Sequence, residues 1–447
     1  MPLTGIQIFK LLPKTNCGEC GVPTCLAFAM SLAAGKAELA ACPYISEEAK
    51  AQLSEAAAPP IVTVTIGTGD RALKIGGETV MFRHEKRFEN PPGFAIIISD
   101  TMDEAEVNGR LERFKLQYER VGLTLRPELV AVKGDSGDAG RFETLVNRVK
   151  QNSDAGLILM SDNPDILAGG LKACADRRPL IYAATKDNLE SVAELAKSSS
   201  CPVAVKASNL EELAQLTTKL TEAGIKEIII DSGARTIRQA FEDQIVIRSA
   251  ALNKKFRPLG FPTIVFPAAM TDDPMKEAVI ASMFVAKYAG IIVLSDFQGE
   301  SLFPLLVERM NIYTDPQRPL ATTEGIYEIG GTNENSPVLL TTNFSLTYFI
   351  VSGEIESSRV PSHLLVMDTE GLSVMTAWAA GKFVADAIAP FVKKSGIEDK
   401  TKHHKLIIPG YIAAESGGLE EELPGWEILV GPREGAHIPA YLKAWQP

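Results

Sequence analysis

Between Phe94 and Asp296 one pattern repeats eight times: FAIIISD (94–100), LVAVKGD (129–135), GLILMSD (156–162), PLIYAAT (179–185), PVAVKAS (202–208), EIIIDSG (227–233), PTIVFPA (262–268) and GIIVLSD (290–296). Each run is unbroken, rich in β-branched residues and closed by small or acidic ones. Helix-like stretches such as NLEELAQLTTKLTEAG (209–224) follow them. Strands that are apolar on both faces belong in a parallel sheet covered by helices on both sides. Eight such units over about two hundred residues predict a (β/α)8, or TIM, barrel. Two short β-like runs come before it, IVTVTIG (61–67) and ETVMFRH (78–84), and read as a hairpin.

Barrels of this kind carry their sites at the carboxyl ends of the strands. Asp100, Asp135, Asp162, Asp231 and Asp296 stand there, with Ser99, Ser161, Ser208 and Ser295 beside several of them. They could line a site for a pterin or another small molecule. No His or Cys joins them in a catalytic arrangement, so capping of the following helices is the preferred reading.

Four of the six cysteines crowd into NCGECGVPTCLAFAMSLAAGKAELAACP (16–43), spaced C-x2-C-x4-C-x16-C. In a reducing compartment, clustered thiols are better explained by metal than by disulfides. Zinc ribbons usually present two C-x2-C knuckles, and here there is one. Gly18, Gly21 and Pro23 let a loop fold about a compact cuboid, and a helix-like run (26–41) leads back to Cys42. The pattern favours a [4Fe–4S] cluster on Cys17, Cys20, Cys25 and Cys42 over zinc or free thiols. Cys174 and Cys201 have no neighbouring ligand residues and read as ordinary small buried side chains. SEAAAPP (54–60) reads as the linker that closes this part.

From about Thr332 the texture changes. SPVLLTTNFS (336–345), HLLVMDTEGLS (363–373), KLIIPGYIAAESGG (405–418) and EILVGPREGAHIP (427–439) each join an apolar strand to a turn of small residues. SLTYFIVSGEIE (345–356) and VMTAWAAGKFVADAIAPFVKK (374–394) lie between them at helical spacing. This predicts an open, Rossmann-like α/β sheet of four or so strands, whose ligands sit outside the strands' carboxyl ends. Small residues there let backbone approach a large flat ligand. On the residues alone, a subunit-docking domain is an equal alternative. No G-x-G-x-x-G or G-x-x-x-x-G-K-[ST] is present, which disfavours nucleotide phosphates.

The net charge of −11 and the lack of a basic run disfavour nucleic-acid binding. Apolar runs stop well short of a membrane span. No secretory signal pattern is visible, so the chain reads as cytosolic (cytoplasmic).

The chain resembles one family closely: the large (gamma) subunit of the corrinoid iron–sulfur protein of the acetyl-CoA (Wood–Ljungdahl) pathway. The resemblance spans essentially the whole chain. It is carried by NCGECGVPTCLAFAM…CP, by FRHEKRFENPP (82–92) and by LLTTNFSLTYFIVSGEIE…VMDTEGLSVMTAW…IIPGYIAAESGGLEEELPGWEILVGP. It implies three parts: a [4Fe–4S] domain over 1–57, a TIM barrel over 58–325 and a corrinoid-binding α/β domain over 326–447. It implies a heterodimer with a small subunit that covers the corrinoid. The implied activity is methyl transfer: a methyl group is taken from methyltetrahydrofolate on a separate methyltransferase and delivered to acetyl-CoA synthase. A low-potential electron donor acting through the cluster would return Co(II) to Co(I). A pterin-dependent barrel methyltransferase and a cluster-bearing electron-transfer or scaffold subunit are the alternatives.

By the family's pattern the corrinoid meets Thr342, Ser345, Thr347, Glu370, Gly371, Leu372, Ser373, Thr376, Arg433, Gly435 and Ala436. Helix capping is the competing role for Ser345 and Ser373. No histidine here (84, 363, 403, 404, 437) has Asp two positions before it, so the D-x-H-x-x-G motif of His-on corrinoid proteins is absent. That matches the base-off, His-off cobamide that the resemblance implies.

Overall fold

In the computed structural model, the described residues are 5–33, 37, 39–46, 49–50, 53, 59–120, 123–315 and 319–447. The chain divides into two compact units. One comprises Met1–Phe82, Phe88–Leu116 and Pro127–Ile312; the other comprises Arg83–Arg87, Gln117–Arg126 and Tyr313–Pro447. Of the expected linker, residues 54–58 lie outside the described residues, as does the expected boundary at 57/58. Among the described residues, no helix is long and apolar enough to cross a membrane.

All eight apolar runs form strands of one parallel sheet. Its order is Ile228–Asp231, Val203–Lys206, Leu180–Ala184, Gly156–Met160, Leu129–Lys133, Gly93–Ser99, Ile291–Leu294 and Ile264–Val265. A parallel bridge between Ile230 and Thr263 joins the two ends, with Ile230 N–H donating to Pro262 C=O at 2.9 Å. The sheet is therefore a closed (β/α)8 barrel. Its interior is filled by Ala95, Leu129, Ala131, Ile158, Leu180, Tyr182, Ile229, Ile291 and Val293.

A hairpin precedes the barrel, but its second strand is Leu73–Ile75, paired with Val64–Ile66, and not the expected 78–84. Gly76 and Gly77, both at φ +77°, turn the chain out of the ladder directly after Ile75. Beyond them the Glu78 carboxylate is buried, accepting from Arg248 at 3.0 Å and from Glu89 N–H at 2.9 Å. Val64, Ile66 and Ile75 pack into the barrel's core.

The acids at the strand ends do not cap the helices. Asp103, Asp138, Asn163, Asn209, Thr236 and Asp273 do, each accepting from a backbone N–H of the first turn. The strand-to-helix loops are longer than the runs suggest, so each helix begins beyond the acid. The acids instead pair with one another's neighbours. Ser99 Oγ donates to Asp135 at 2.7 Å, and Ser136 N–H and Oγ donate to Asp100 at 2.8 and 2.6 Å. Tyr182 Oη donates to Asp231 at 2.6 Å, and Arg235 pairs with the same carboxylate at 2.7 Å while lying over the Phe266 ring. Burial first, and then the Asp231 charge, push the Tyr182 hydroxyl well above its ordinary range. Arg113 holds Asp296 at 2.7 Å.

The other unit is built on a five-stranded sheet, ordered Gly325–Ile329, Ser362–Met367, Val338–Thr342, Lys405–Ile408 and Glu427–Val430. The last four are mutually parallel, and Gly325–Ile329 is an antiparallel edge strand beyond the four or so expected. The run 374–394 is two helices, Val374–Ala379 and Ala385–Ser395, separated near Gly381 at φ +69°. Alternation along the strands sends Leu340, Leu365 and Ile408 to one face and Leu339, Leu364 and Ile407 to the other. A short hairpin, Tyr118–Arg120 with Leu123–Leu125, belongs to this unit and had no clear alternating signal.

Candidate functional site

The N-terminal cysteines stand on a loop and two short helical pieces. Gly18 (φ +78°) and Gly21 (φ +83°) bend the loop, and Gly21 N–H donates to Gly18 C=O at 3.0 Å. Cys25 opens the Cys25–Ala33 helix. Asn16, at φ +49°, clasps that residue. Its Oδ1 accepts from Cys25 N–H at 2.8 Å, and its own N–H points at Cys25 Sγ at 3.4 Å. Sequence reasoning passed over Asn16, although an Asn beside the first Cys suits a left-handed turn. Among the described residues this helix covers Cys25–Ala33, and Leu39–Ala41 is a 3-10 turn leading to Cys42, so the expected run over 26–41 is not one continuous α-helix.

Cys17 is exposed, Cys20 half-buried, and Cys25 and Cys42 buried, around a small core of Ile8, Leu12, Phe28, Ala29 and Leu53. Among the described residues, no three or more His, Cys, Asp or Glu side chains gather tightly enough to hold a single ion. A cluster spaces its thiolates more widely than one ion does, and four thiols on a glycine-bent loop are a donor set that suits it. Cys174 and Cys201 are buried, and burial pushes Cys174 up to about 12, so both stay unreactive thiols.

The second constellation lies at the carboxyl ends of the C-terminal sheet. A cleft of about 260 Å³ opens there, bounded by the Ser345–Ser358 helix, by 373–375, by 409–411 and by 431–438. Of the expected contacts, Thr347, Ser373, Arg433 and Gly435 line it. Thr342 and Ser345 lie beside it, fully buried or nearly so, and neither hydroxyl has a hydrogen-bond partner. Thr341 lines the cleft and is equally unpartnered. Buried hydroxyls without partners are uncommon and fit a ligand that supplies them.

Ser345 is not a cap: Phe344 occupies that position, and no side chain caps the helix. Ser373 does stand at the N-cap of Val374–Ala379, yet its hydroxyl meets Thr376 Oγ1 at 3.0 Å instead of a backbone N–H. Glu370 is exposed and pairs with Lys382 at 2.6 Å. Gly371 lies at φ +74°, and a Cβ there would come within 2.9 Å of Pro319 C=O. Leu372 packs under the sheet, and Ala436 sits exposed in the Gly435–His437 turn outside the cleft wall. Gly410 and Gly431 are each closely packed, and Gly431 also lines the cleft. A Cβ on Gly410 would meet Gly431 C=O at 2.5 Å, and one on Gly431 would meet Ile407 Cγ2 at 2.9 Å and Ile408 C=O at 3.0 Å.

Ile350, Met375 and Tyr411 line the cleft and stand exposed. Sequence reasoning missed Thr341, Ile350 and Tyr411. The available signal for Thr341 was a hydroxyl on the same strand face as Leu339 in an otherwise apolar run.

The chain is 48% identical over 445 residues to the corrinoid/iron-sulfur protein large subunit of Moorella thermoacetica, covering 99% of both chains. It belongs to the family of corrinoid/iron–sulfur large subunits. It is also 37% identical to the acetyl-CoA decarbonylase/synthase complex subunit gamma of Methanopyrus kandleri, over 99% of this chain and 97% of that one. The family model described as CO dehydrogenase/acetyl-CoA synthase delta subunit matches residues 63–442 of this large-subunit chain, and a model named FeS, for an Fe-S cluster, matches residues 12–44. Among solved structures, the dihydropteroate synthase of Xanthomonas albilineans in complex with 7,8-dihydropteroate aligns at TM-score 0.38 and 12% identity, covering 56% of this chain and 100% of that one.

Proposed function

We propose that this chain is the corrinoid- and cluster-bearing subunit of a methyl carrier. The near-complete, 48% identical match to a corrinoid/iron-sulfur large subunit carries the reading. The orphaned hydroxyl of Thr341, which lines the carboxyl-end cleft, supports it. When bound, a corrinoid supplies a cobalt able to accept and donate a methyl group, and a [4Fe–4S] cluster supplies low-potential electrons that keep it active.

The chain's own residues divide the work. Cys17, Cys20, Cys25 and Cys42 hold the cluster in a part spanning 1–57. The barrel, 58–325, is the scaffold, its mouth acids being engaged by Tyr182, Arg235, Arg113 and the serines. Residues 326–447 hold a base-off, His-off cobamide, with Thr342, Ser345, Thr347, Glu370 to Ser373, Thr376, Arg433, Gly435 and Ala436 near it. The apolar residues about the cleft are suited to a covering small subunit and to exclusion of water from the reacting face. The methyl donor is methyltetrahydrofolate through its methyltransferase, and the acceptor is acetyl-CoA synthase. A cytoplasmic low-potential donor feeds the cluster.

One measurement tests the reading: the visible spectrum and metal content of anaerobically purified protein. Corrinoid bands that shift on titanium reduction, with cobalt near one and iron near four per chain, are expected. Iron without cobalt would reduce the chain to an electron-transfer subunit. Methyltetrahydrofolate turnover by the chain without corrinoid would make it a barrel enzyme instead.

A further inference from the structure

Three of the four N-terminal cysteines stand on one loop that a single side chain closes. Asn16 Oδ1 accepts from Cys25 N–H, nine positions on, and Cys17 and Cys20 lie between them. Cys25 N–H belongs to the first turn of its helix and has no carbonyl within the helix to meet. Thr24 serves a different donor of that turn, its Oγ1 accepting from Ala27 N–H at 3.1 Å. The clasp keeps Asn16 in a left-handed conformation, which asparagine tolerates better than most side chains. In that conformation the Asn16 backbone N–H points at Cys25 Sγ at 3.4 Å. Cys25 is 6% exposed, so little water competes for its sulfur, whereas Cys17 is exposed.

Resting on the cluster reading above, we infer that Asn16 is a positioning residue that raises the reduction potential of the cluster, by aiming its backbone N–H at the Cys25 sulfur. Reduction adds one electron, and part of that charge falls on the ligand sulfurs. An N–H donated to one of them stabilises the reduced form more than the oxidised one, which raises the potential. The side chain secures this in two ways. Its amide oxygen fixes the backbone of Cys25, and its tolerance of a left-handed backbone keeps the N–H on the sulfur. Loss of one hydrogen bond of ordinary strength corresponds to a ratio of reduced to oxidised cluster about three- to tenfold lower at a fixed potential.

The test uses the full-length chain, purified anaerobically and poised at a series of potentials, with the reduced cluster read by EPR. Asn16→Ala should move the midpoint to a more negative potential with iron still near four per chain. Thr24→Ala loosens the same end of the helix without touching the sulfur, and should leave the midpoint where it is. A second measurement needs no substitution and decides even where Asn16→Ala cannot hold the cluster. Asn16 is the only asparagine before Asn90. Wild-type protein carrying asparagine labelled with 15N at the backbone should therefore show a 15N coupling to the reduced cluster in pulsed EPR. An unchanged midpoint in Asn16→Ala, an equal shift in Thr24→Ala, or no 15N coupling in the wild type would each overturn the inference while leaving the cluster reading standing. Wild-type protein that holds no iron after anaerobic reconstitution would overturn the cluster reading itself, and this inference with it.

Discussion

Asn343 Oδ1 accepts a hydrogen bond from the backbone N–H of Gly371 at 3.0 Å. The same oxygen accepts from Thr369 N–H at 3.0 Å and from Thr369 Oγ1 at 3.1 Å, while Asn343 Nδ2 donates to Asp368 at 2.8 Å. One buried amide thus closes the turn that follows the Ser362–Met367 strand. The turn holds Glu370 at φ +57° and Gly371 at φ +74°, two consecutive left-handed residues. For Glu370 that conformation costs about 1–2 kcal/mol, so the turn needs outside support.

Replacing Asn343 by Ala should leave two backbone N–H groups without a partner. Each such loss costs about 1–3 kcal/mol. Urea denaturation should show the destabilisation, and corrinoid retained per chain should fall with it. Gly371→Val should act in the same direction for a different reason, the approach of its Cβ to Pro319 C=O. Wild-type stability and occupancy in Asn343→Ala would show that the turn stands without this side chain.

The cluster cysteines are not equivalent as probes. Cys25 and Cys42 are buried in the small N-terminal core, so Ala there removes packing as well as a ligand. Cys17 is exposed. Cys17→Ala should therefore keep the fold while iron per chain drops or the cluster converts to a smaller form. Reductive reactivation should disappear, and methyl transfer by protein already poised in the reduced state should persist. Four irons per chain with an unchanged EPR signal in this variant would remove Cys17 from the ligand set.

The barrel was legible because its strands are buried on both faces, and eight unbroken apolar runs have few other uses. The edge strand Gly325–Ile329 was not, since GIYEI is short, partly polar and half-exposed. The 78–84 run misled for a reason visible only in three dimensions: its apolar Val80 and Met81 accompany a buried Glu78 that answers Arg248. The mouth acids misled by a few residues of loop length, which moved every cap beyond them. In the C-terminal unit, small residues at strand ends pointed to the end of the sheet where the cleft opens. Period-two alternation separates Thr341 from Thr342, yet which face carries a cleft depends on where the Ser345–Ser358 helix packs.

A pH effect is expected in the C-terminal unit. His363 is buried at the start of its strand, and burial holds its imidazole below the ordinary value of about 6.5, against the opposite pull of Glu328. Lys400, paired with Glu328 at 2.6 Å, and His403 are the other charged or titratable neighbours. The unfolded chain takes up the proton more readily than the folded one. The stabilisation is thus fully present above the unfolded value and is lost as pH falls through the depressed folded one. All three tryptophans, Trp378, Trp426 and Trp445, lie in this unit and report its unfolding. Their denaturation midpoint should fall between about pH 7.5 and pH 5.5 more steeply in the wild type than in His363→Leu. Parallel pH profiles would exclude His363 as the source.

Cobalt ligation by histidine is tested at His437. His363 lies near the amino end of the Ser362–Met367 strand, and His403 and His404 precede Lys405–Ile408, so all three belong to the end of the sheet opposite the cleft. His437 is different: it closes the Gly435–His437 turn, exposed, two residues from cleft-lining Gly435 and next to Ile438. An imidazole on cobalt would donate electron density and make Co(II) harder to reduce, against the task proposed for the cluster. A carrier that must be returned to its reduced state is better served by a cleft that offers hydroxyls and backbone but no imidazole. His437→Ala should therefore leave the Co(II) EPR spectrum and the corrinoid content unchanged. Nitrogen superhyperfine splitting present in the wild type and absent from His437→Ala would establish a histidine ligand and replace the His-off assignment.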